Sequence, residues 1–156
     1  MTEANRPWSR EDLAEIAALI ADIDICMLVT NSEEGLRGRP MSNNRNVEYD
    51  GDSWFYAARD GLHVADIEAD PAVALAYMHT ERGIWISIEG DATVTDDVER
   101  KRALWQDELA TWFPGGPDDD QVVLIKVQAD RARLWNDGEE RILEPNRTPD
   151  RQASHW

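Results

Sequence analysis

Between Gly35 and Val47 the chain runs thirteen residues without a carboxylate, and Arg37, Arg39 and Arg45 all fall inside that window. Elsewhere acid dominates: 32 Asp and Glu stand against 16 Lys and Arg, for a formal net charge of −16. A solubilising surface gains nothing from a basic island in so acidic a chain. An anion-binding site does, because a guanidinium presents a planar fork of donors and stays charged at any working pH. Arg39 is the leading candidate to hold that anion. Arg37 and Arg45 are weaker, since a strand arginine by default faces water.

A second set of candidates is aromatic. In Ser53-Trp54-Phe55-Tyr56-Ala57-Ala58, alternation along a strand puts Trp54 and Tyr56 on one face. Core packing is the stronger reading of that pair, with the wall of a flat ligand as the alternative. Trp112-Phe113-Pro114-Gly115-Gly116 reads either as a lid over a site or as a helix stop with a tryptophan anchor. Asp118-Asp119-Asp120 is a solvated loop that at most binds a hard cation weakly. His63, His79 and His155 are scattered and show no metal-ligand spacing. The lone Cys26 lies in the apolar run Ile25–Val29 and reads as a small buried hydrophobe, not a reactive thiol. No nucleophile–base pairing and no glycine-rich phosphate loop stands out. Any chemistry must then come from a cofactor that the protein orients.

Composition narrows the partners. A charge of −16 repels nucleic-acid backbones and anionic lipid surfaces, which excludes both as partners. No apolar run approaches the ~20 residues of a membrane span. The N-terminal residues lack the apolar core of a secretory signal, and a single cysteine suits a reducing compartment, so the expected location is cytoplasmic. At 156 residues with 42% hydrophobic content, one folded domain is expected over residues 9–136. Residues 1–8 and the polar, proline-interrupted stretch 137–156 read as tails.

The elements that must position these side chains follow from periodicity. Ser9 and Asp12 form a capping signal for an amphipathic helix over Arg10–Ala21, with Leu13, Ile16, Ala17 and Ile20 at helical spacing. Strands are expected at Ile25–Thr30, Arg37–Tyr49 and Ser53–Ala58, the last two joined by an Asp50-Gly51-Asp52 hairpin turn. A short helix over Gly61–Ala69 must stop before Asp70-Pro71. Strands at Val73–His79 and Ile84–Thr95 follow, then a helix from Asp96 or Asp97 to Trp112 whose Arg100-Lys101-Arg102 face is solvated. A last strand runs over Val122–Val127, with a continuation at Ala132–Trp135. The fold class is α+β: a mainly antiparallel split β-barrel of six or seven strands with flanking helices.

Arg39-Pro40-Met41, Trp54-Phe55-Tyr56, Arg59-Asp60-Gly61, Val64 and Ile67-Glu68-Ala69-Asp70-Pro71 together resemble the general stress protein family of FMN-binding split barrels, within the pyridoxamine 5'-phosphate oxidase-like superfamily. Ser87-Ile88-Glu89-Gly90-Asp91-Ala92 and the run from Trp112 to Asp119 extend the resemblance, which spans about Leu13 to Trp135. It implies a homodimer with flavin in clefts at the subunit interface. It also implies that Arg39 lies near the FMN phosphate, with Pro40, Met41 and Ser42 along the ring. Trp54, Tyr56 and Ala57 would follow as wall, and Arg59, His63 and Val64 would form the phosphate turn. Trp112 and Phe113 would cover the flavin as a lid. The chain departs from the family pattern where hydroxyl residues are usual, at Ala57 and Ala58, and where lysine is usual, at His63. An imidazole there is only partly charged at neutral pH and equally suits a plain exposed position. FAD and a deazaflavin are alternative cofactors, and a non-catalytic flavin buffer is an alternative to an oxidoreductase. No catalytic residue is assigned.

Overall fold

The structure, a computed structural model, describes residues 8–43 and 48–145. Helix α1, Arg10–Ile20, starts where the Ser9 hydroxyl accepts from the Asp12 amide at 3.0 Å, and it buries Ile16 and Ile20. The strands β1 (Ile25–Ser32) and β2 (Gly35–Ser42) form a hairpin. β3 (Asp52–Ala58) leads into α2 (Leu62–Ala69), which ends ahead of Pro71. β4 (Ala72–His79), β5 (Ile84–Thr95), α3 (Val98–Leu104), β6 (Val122–Asn136) and β7 (Glu139–Leu143) complete the chain. Among the described residues no helix is long and apolar enough to cross a membrane.

Among the described residues seven strands join one sheet in the order β2-β1-β4-β5-β6-β3, with β7 beside the end of β6, and every pairing is antiparallel. The sheet curls without closing, the split-barrel form of the α+β class. Period-two burial sends Cys26, Leu28, Leu75, Tyr77, Ile86 and Ile88 inward, where Ile16 and Ile20 of α1 and Val64 and Ile67 of α2 complete the core. β6 is the spine, buried on both faces along Val122–Ile125. Val123 and Ile125 face the main core, whereas Val122 and Leu124 join Tyr56 in a second cluster beneath Leu104, Trp105, Leu109 and Phe113. Curvature is set at a bulge between Glu89 and Gly90. A Cβ at Gly90 would stand 2.0 Å from the Gln128 carbonyl oxygen, so only glycine fits.

Several sequence expectations give way. β2 stops at Ser42, not Tyr49, and Asp50-Gly51-Asp52 does not join neighbours, since β2 and β3 sit at opposite ends of the ladder. Residues 44–47, and Arg45 with them, lie outside the described residues. The helix expected to reach Trp112 ends at Leu104, where Trp105 turns extended, and a 3-10 turn over Asp107–Thr111 follows. Packing overrides propensity here: the break lets both Trp105 and Leu109 reach the Tyr56–Leu124 patch. Lys101, expected on a solvated face, is 2% exposed and donates to the carbonyls of Asp119 and Val122. The expected tail beyond residue 136 instead supplies β7, whose Leu143 is buried against the core. At the other end Trp8 packs on the core and donates its indole N–H to the Ala129 carbonyl.

Candidate functional site

Both ends of the ladder reach one half-open cleft of about 330 Å³. From β2 and the residue after it come Arg39, Pro40, Met41, Ser42 and Asn43; from β3 come Trp54 and Tyr56. Ile25 from β1 and a wall of Gln106, Leu109, Trp112 and Phe113 close the ring. The lining is largely apolar and aromatic with a guanidinium at one side, a composition that receives a flat ligand with a charged tail.

Tyr56 forms the floor. Its ring meets Trp105 edge-on at 5.4 Å and Phe113 at 6.4 Å, and its hydroxyl donates to the Lys101 carbonyl at 2.6 Å. The Lys101 ammonium then reaches the Val122 carbonyl at 2.8 Å and the Asp119 carbonyl at 3.2 Å. One buried residue therefore ties the floor to the loop behind the aromatic wall. The Arg102–Asp118 pair, at 2.7 and 3.1 Å, fastens the same loop from outside. Trp54 carries Arg100 over its ring at 5.0 Å and Lys126 at 5.7 Å, contacts that orient the indole at the rim. Trp112 is 65% exposed and stands at the mouth.

The arginines of the acid-free window divide. Arg37 turns away from the cleft and grips Asp66 through Nε at 3.0 Å and Nη2 at 3.1 Å, while Thr30 donates to the same carboxylate at 2.8 Å. The Arg37 contact holds the Asp66 carboxyl below its ordinary pKa against the effect of burial. Arg37 is thus committed to the fold. Arg39 instead lines the cleft, and its Nη1 meets the Nδ1 of His63 at 3.0 Å.

His63 is buried, contrary to simple exposure, and lies behind Arg39, outside the lining of the cleft; among the described residues its Nε2 has no hydrogen-bond partner. Burial, and then the neighbouring Arg39 charge, push the imidazole pKa down to about 4, so the ring is neutral at physiological pH.

The remaining expected site residues lie elsewhere. Ala57 and Val64 are buried in the main core, beneath the site and outside its lining. Arg59 pairs with Asp96 at 2.9 Å and donates to the Asp120 carbonyl at 2.6 Å, holding the 118–121 loop. Tyr56 is buried and also lines the cleft, with Trp54 beside it in the lining. Ile25, Asn43, Gln106 and Leu109 were not anticipated. Asn43 follows directly on the Arg39–Ser42 run, a signal for including it; Leu109 shows none until the helix is known to break.

Comparison with known proteins gives a consistent set. A family model described as "Pyridoxamine 5'-phosphate oxidase like" matches residues 11–144. General stress protein 26 of Bacillus subtilis is 27% identical over 107 residues, covering 66% of this chain and 76% of that protein. Among solved structures, a protein related to general stress protein 26 from Clostridium acetobutylicum superposes with a TM-score of 0.75 at 18% identity, over 87% of this chain and 96% of that one. A general stress FMN/FAD binding protein from Xanthomonas citri superposes with a TM-score of 0.71 at 23% identity, over 90% and 98% of the two chains. At those identities the two structural likenesses speak for the fold alone.

Proposed function

Because the chain belongs to the pyridoxamine 5'-phosphate oxidase-like family, we propose that its cleft binds a flavin, FMN by preference, in a cytoplasmic homodimer. The observation that carries this reading is the convergence, on one cavity, of a guanidinium from β2 with four aromatic rings, two from β3 and two from Trp112-Phe113. Arg39 would take the phosphate as a charge-assisted, two-pronged contact. The β2 backbone at Met41 and Ser42 would meet the polar edge of the ring system. Trp54, Tyr56, Trp112 and Phe113 would exclude water from its faces. A bound flavin supplies hydride and electron transfer; the protein supplies position and electrostatics. The Xanthomonas citri neighbour, itself a general stress FMN/FAD binding protein, supports the choice of cofactor.

The homodimer is supported by an unpartnered apolar face. The register sets Met27 opposite Ala76, Met78 opposite Trp85 and Trp85 opposite Trp135 across neighbouring strands, and Ile25, Met27, Met78 and Trp85 are exposed. Ile25 belongs to both this face and the cleft, so a second copy seated on the face would reach the rim of the site.

The test is titration of the purified protein with FMN and with riboflavin, followed by absorbance and fluorescence quenching. Tight FMN binding with at least tenfold weaker riboflavin binding is expected. Equal affinity would remove Arg39 from a phosphate role, and absence of binding to either would end the flavin reading. Oxidation of reduced nicotinamide faster than free FMN achieves would distinguish an oxidoreductase from a flavin buffer.

A further inference from the structure

We infer that Arg39 and His63 form an exchangeable contact that couples capture of the ligand's anionic tail to uptake of one proton. The inference rests on the phosphate role proposed for Arg39 and concerns what its neighbour does in response. A guanidinium can only donate, so the 3.0 Å contact assigns a bare lone pair to His63 Nδ1 and the ring hydrogen to Nε2. Among the described residues that buried Nε2 has no partner, an arrangement that is unfavourable for a desolvated donor. The ring packs over Gly61 in the space a side chain would need, since a Cβ there would lie 2.6 Å from its Cε1. The empty-handed Arg39 is therefore parked on a histidine that is itself incompletely satisfied.

When a phosphate dianion takes the Arg39 guanidinium, the lone pair at Nδ1 loses its donor and the ring loses its nearest positive neighbour. A proton from solvent then forms the Nδ1–H bond, and the imidazolium adds positive charge behind Arg39, outside the lining of the cleft. The other charged groups around the ring do not replace this exchange. Asp66 on α2 attracts a proton to the ring, but its two oxygens are already held by Arg37 of β2 and Thr30 of β1. Arg59 in the preceding turn is engaged with Asp96 and the Asp120 carbonyl. In the absence of ligand, burial and Arg39 together hold the imidazole near a pKa of about 4. A lysine at this position would carry its charge permanently; histidine makes the grip conditional on pH.

Calorimetry of FMN binding between pH 6.5 and 8.0, in buffers of different ionisation enthalpy, measures the proton directly. Wild type is expected to take up a fraction of a proton per FMN and to bind more tightly as pH falls. The limit is about tenfold per pH unit for one linked proton. Riboflavin, His63→Asn and His63→Lys should show no uptake beyond the ligand's own titration, and His63→Lys should bind FMN at pH 8.0 at least as tightly as wild type. In parallel, NMR titration of the wild-type imidazole should show its pKa rising by two units or more when FMN is added, a readout independent of the variants' folding. FMN binding without proton uptake and without that rise overturns this inference and leaves the flavin reading intact; no FMN binding overturns both.

Discussion

Arg37 and Arg39 are two residues apart on one strand and do different work, which substitutions can separate. Arg39→Ala should weaken FMN binding by about 1.5–3 kcal/mol with little change in unfolding free energy. Arg37→Ala should do the reverse, lowering stability in urea by about 1–3 kcal/mol because the buried Asp66 carboxylate loses its main partner. Two acid-sensitive windows follow from the same neighbourhood. The His63 pKa in the ligand-free fold lies at about 4, below its ordinary 6.5, so the folded state binds fewer protons than the unfolded chain between those values. Stability should therefore fall as pH drops from about 6.5 to 4, by roughly 2–3 kcal/mol, a loss absent in His63→Asn. Asp66, whose pKa is lowered, contributes stability above the unfolded carboxylate range that is lost only as pH falls below about 4. Urea midpoints across pH 3–8 would resolve the two steps, and a flat profile between 4 and 6.5 would refute the first.

Elements whose pattern is local were legible in the sequence; those whose reason is distant were not. The Ser9 cap, the stop before Pro71 and the alternation of Ile84, Ile86 and Ile88 declare themselves within a few residues. The break after Leu104 does not, since nothing between Val98 and Trp112 forbids a helix; the reason is Tyr56, forty-odd residues upstream, offering Trp105 and Leu109 a surface. β7 was hidden for a similar reason. Its first three residues, Glu139, Glu140 and Arg141, are charged and exposed, and only its pairing with β6 makes it a strand. Of the site, the Arg39–Ser42 run and the four aromatic wall residues could be named from resemblance and residue chemistry. The commitment of Arg59 to the acidic loop could not, because it depends on how Asp96 and Asp120 fold beside it. Lys101→Met, similar in length and uncharged, leaves the Asp119 and Val122 carbonyls without their donor. It should accelerate amide exchange in residues 113–121 and weaken FMN binding by about 1 kcal/mol or more. Unchanged exchange there would show that the Arg102–Asp118 and Arg59 contacts hold the loop alone.

For the molecule as a whole, the apolar outer face and the acidic remainder act in opposite directions on association. A monomer carrying −16 repels its copy, so dimerisation through the Ile25, Met27, Met78 and Trp85 face should strengthen with ionic strength, as screening removes the repulsion and leaves apolar contact. Trp85→Glu should leave the protein monomeric in sedimentation experiments and, if the proposed homodimer completes the site, reduce FMN affinity in the same step. A monomeric variant with wild-type affinity would show that the cleft is sufficient within one chain. The cleft itself lies where the sheet begins and ends, on β2 and β3, while the Gly90 bulge lies between β5 and β6, one pairing short of β3. The arrangement resembles a caliper, with the bend at one place and the jaws at another. Substitutions beside the bulge, outside the lining of the cleft, are therefore expected to alter the gap between β2 and β3 without replacing a side chain that lines it.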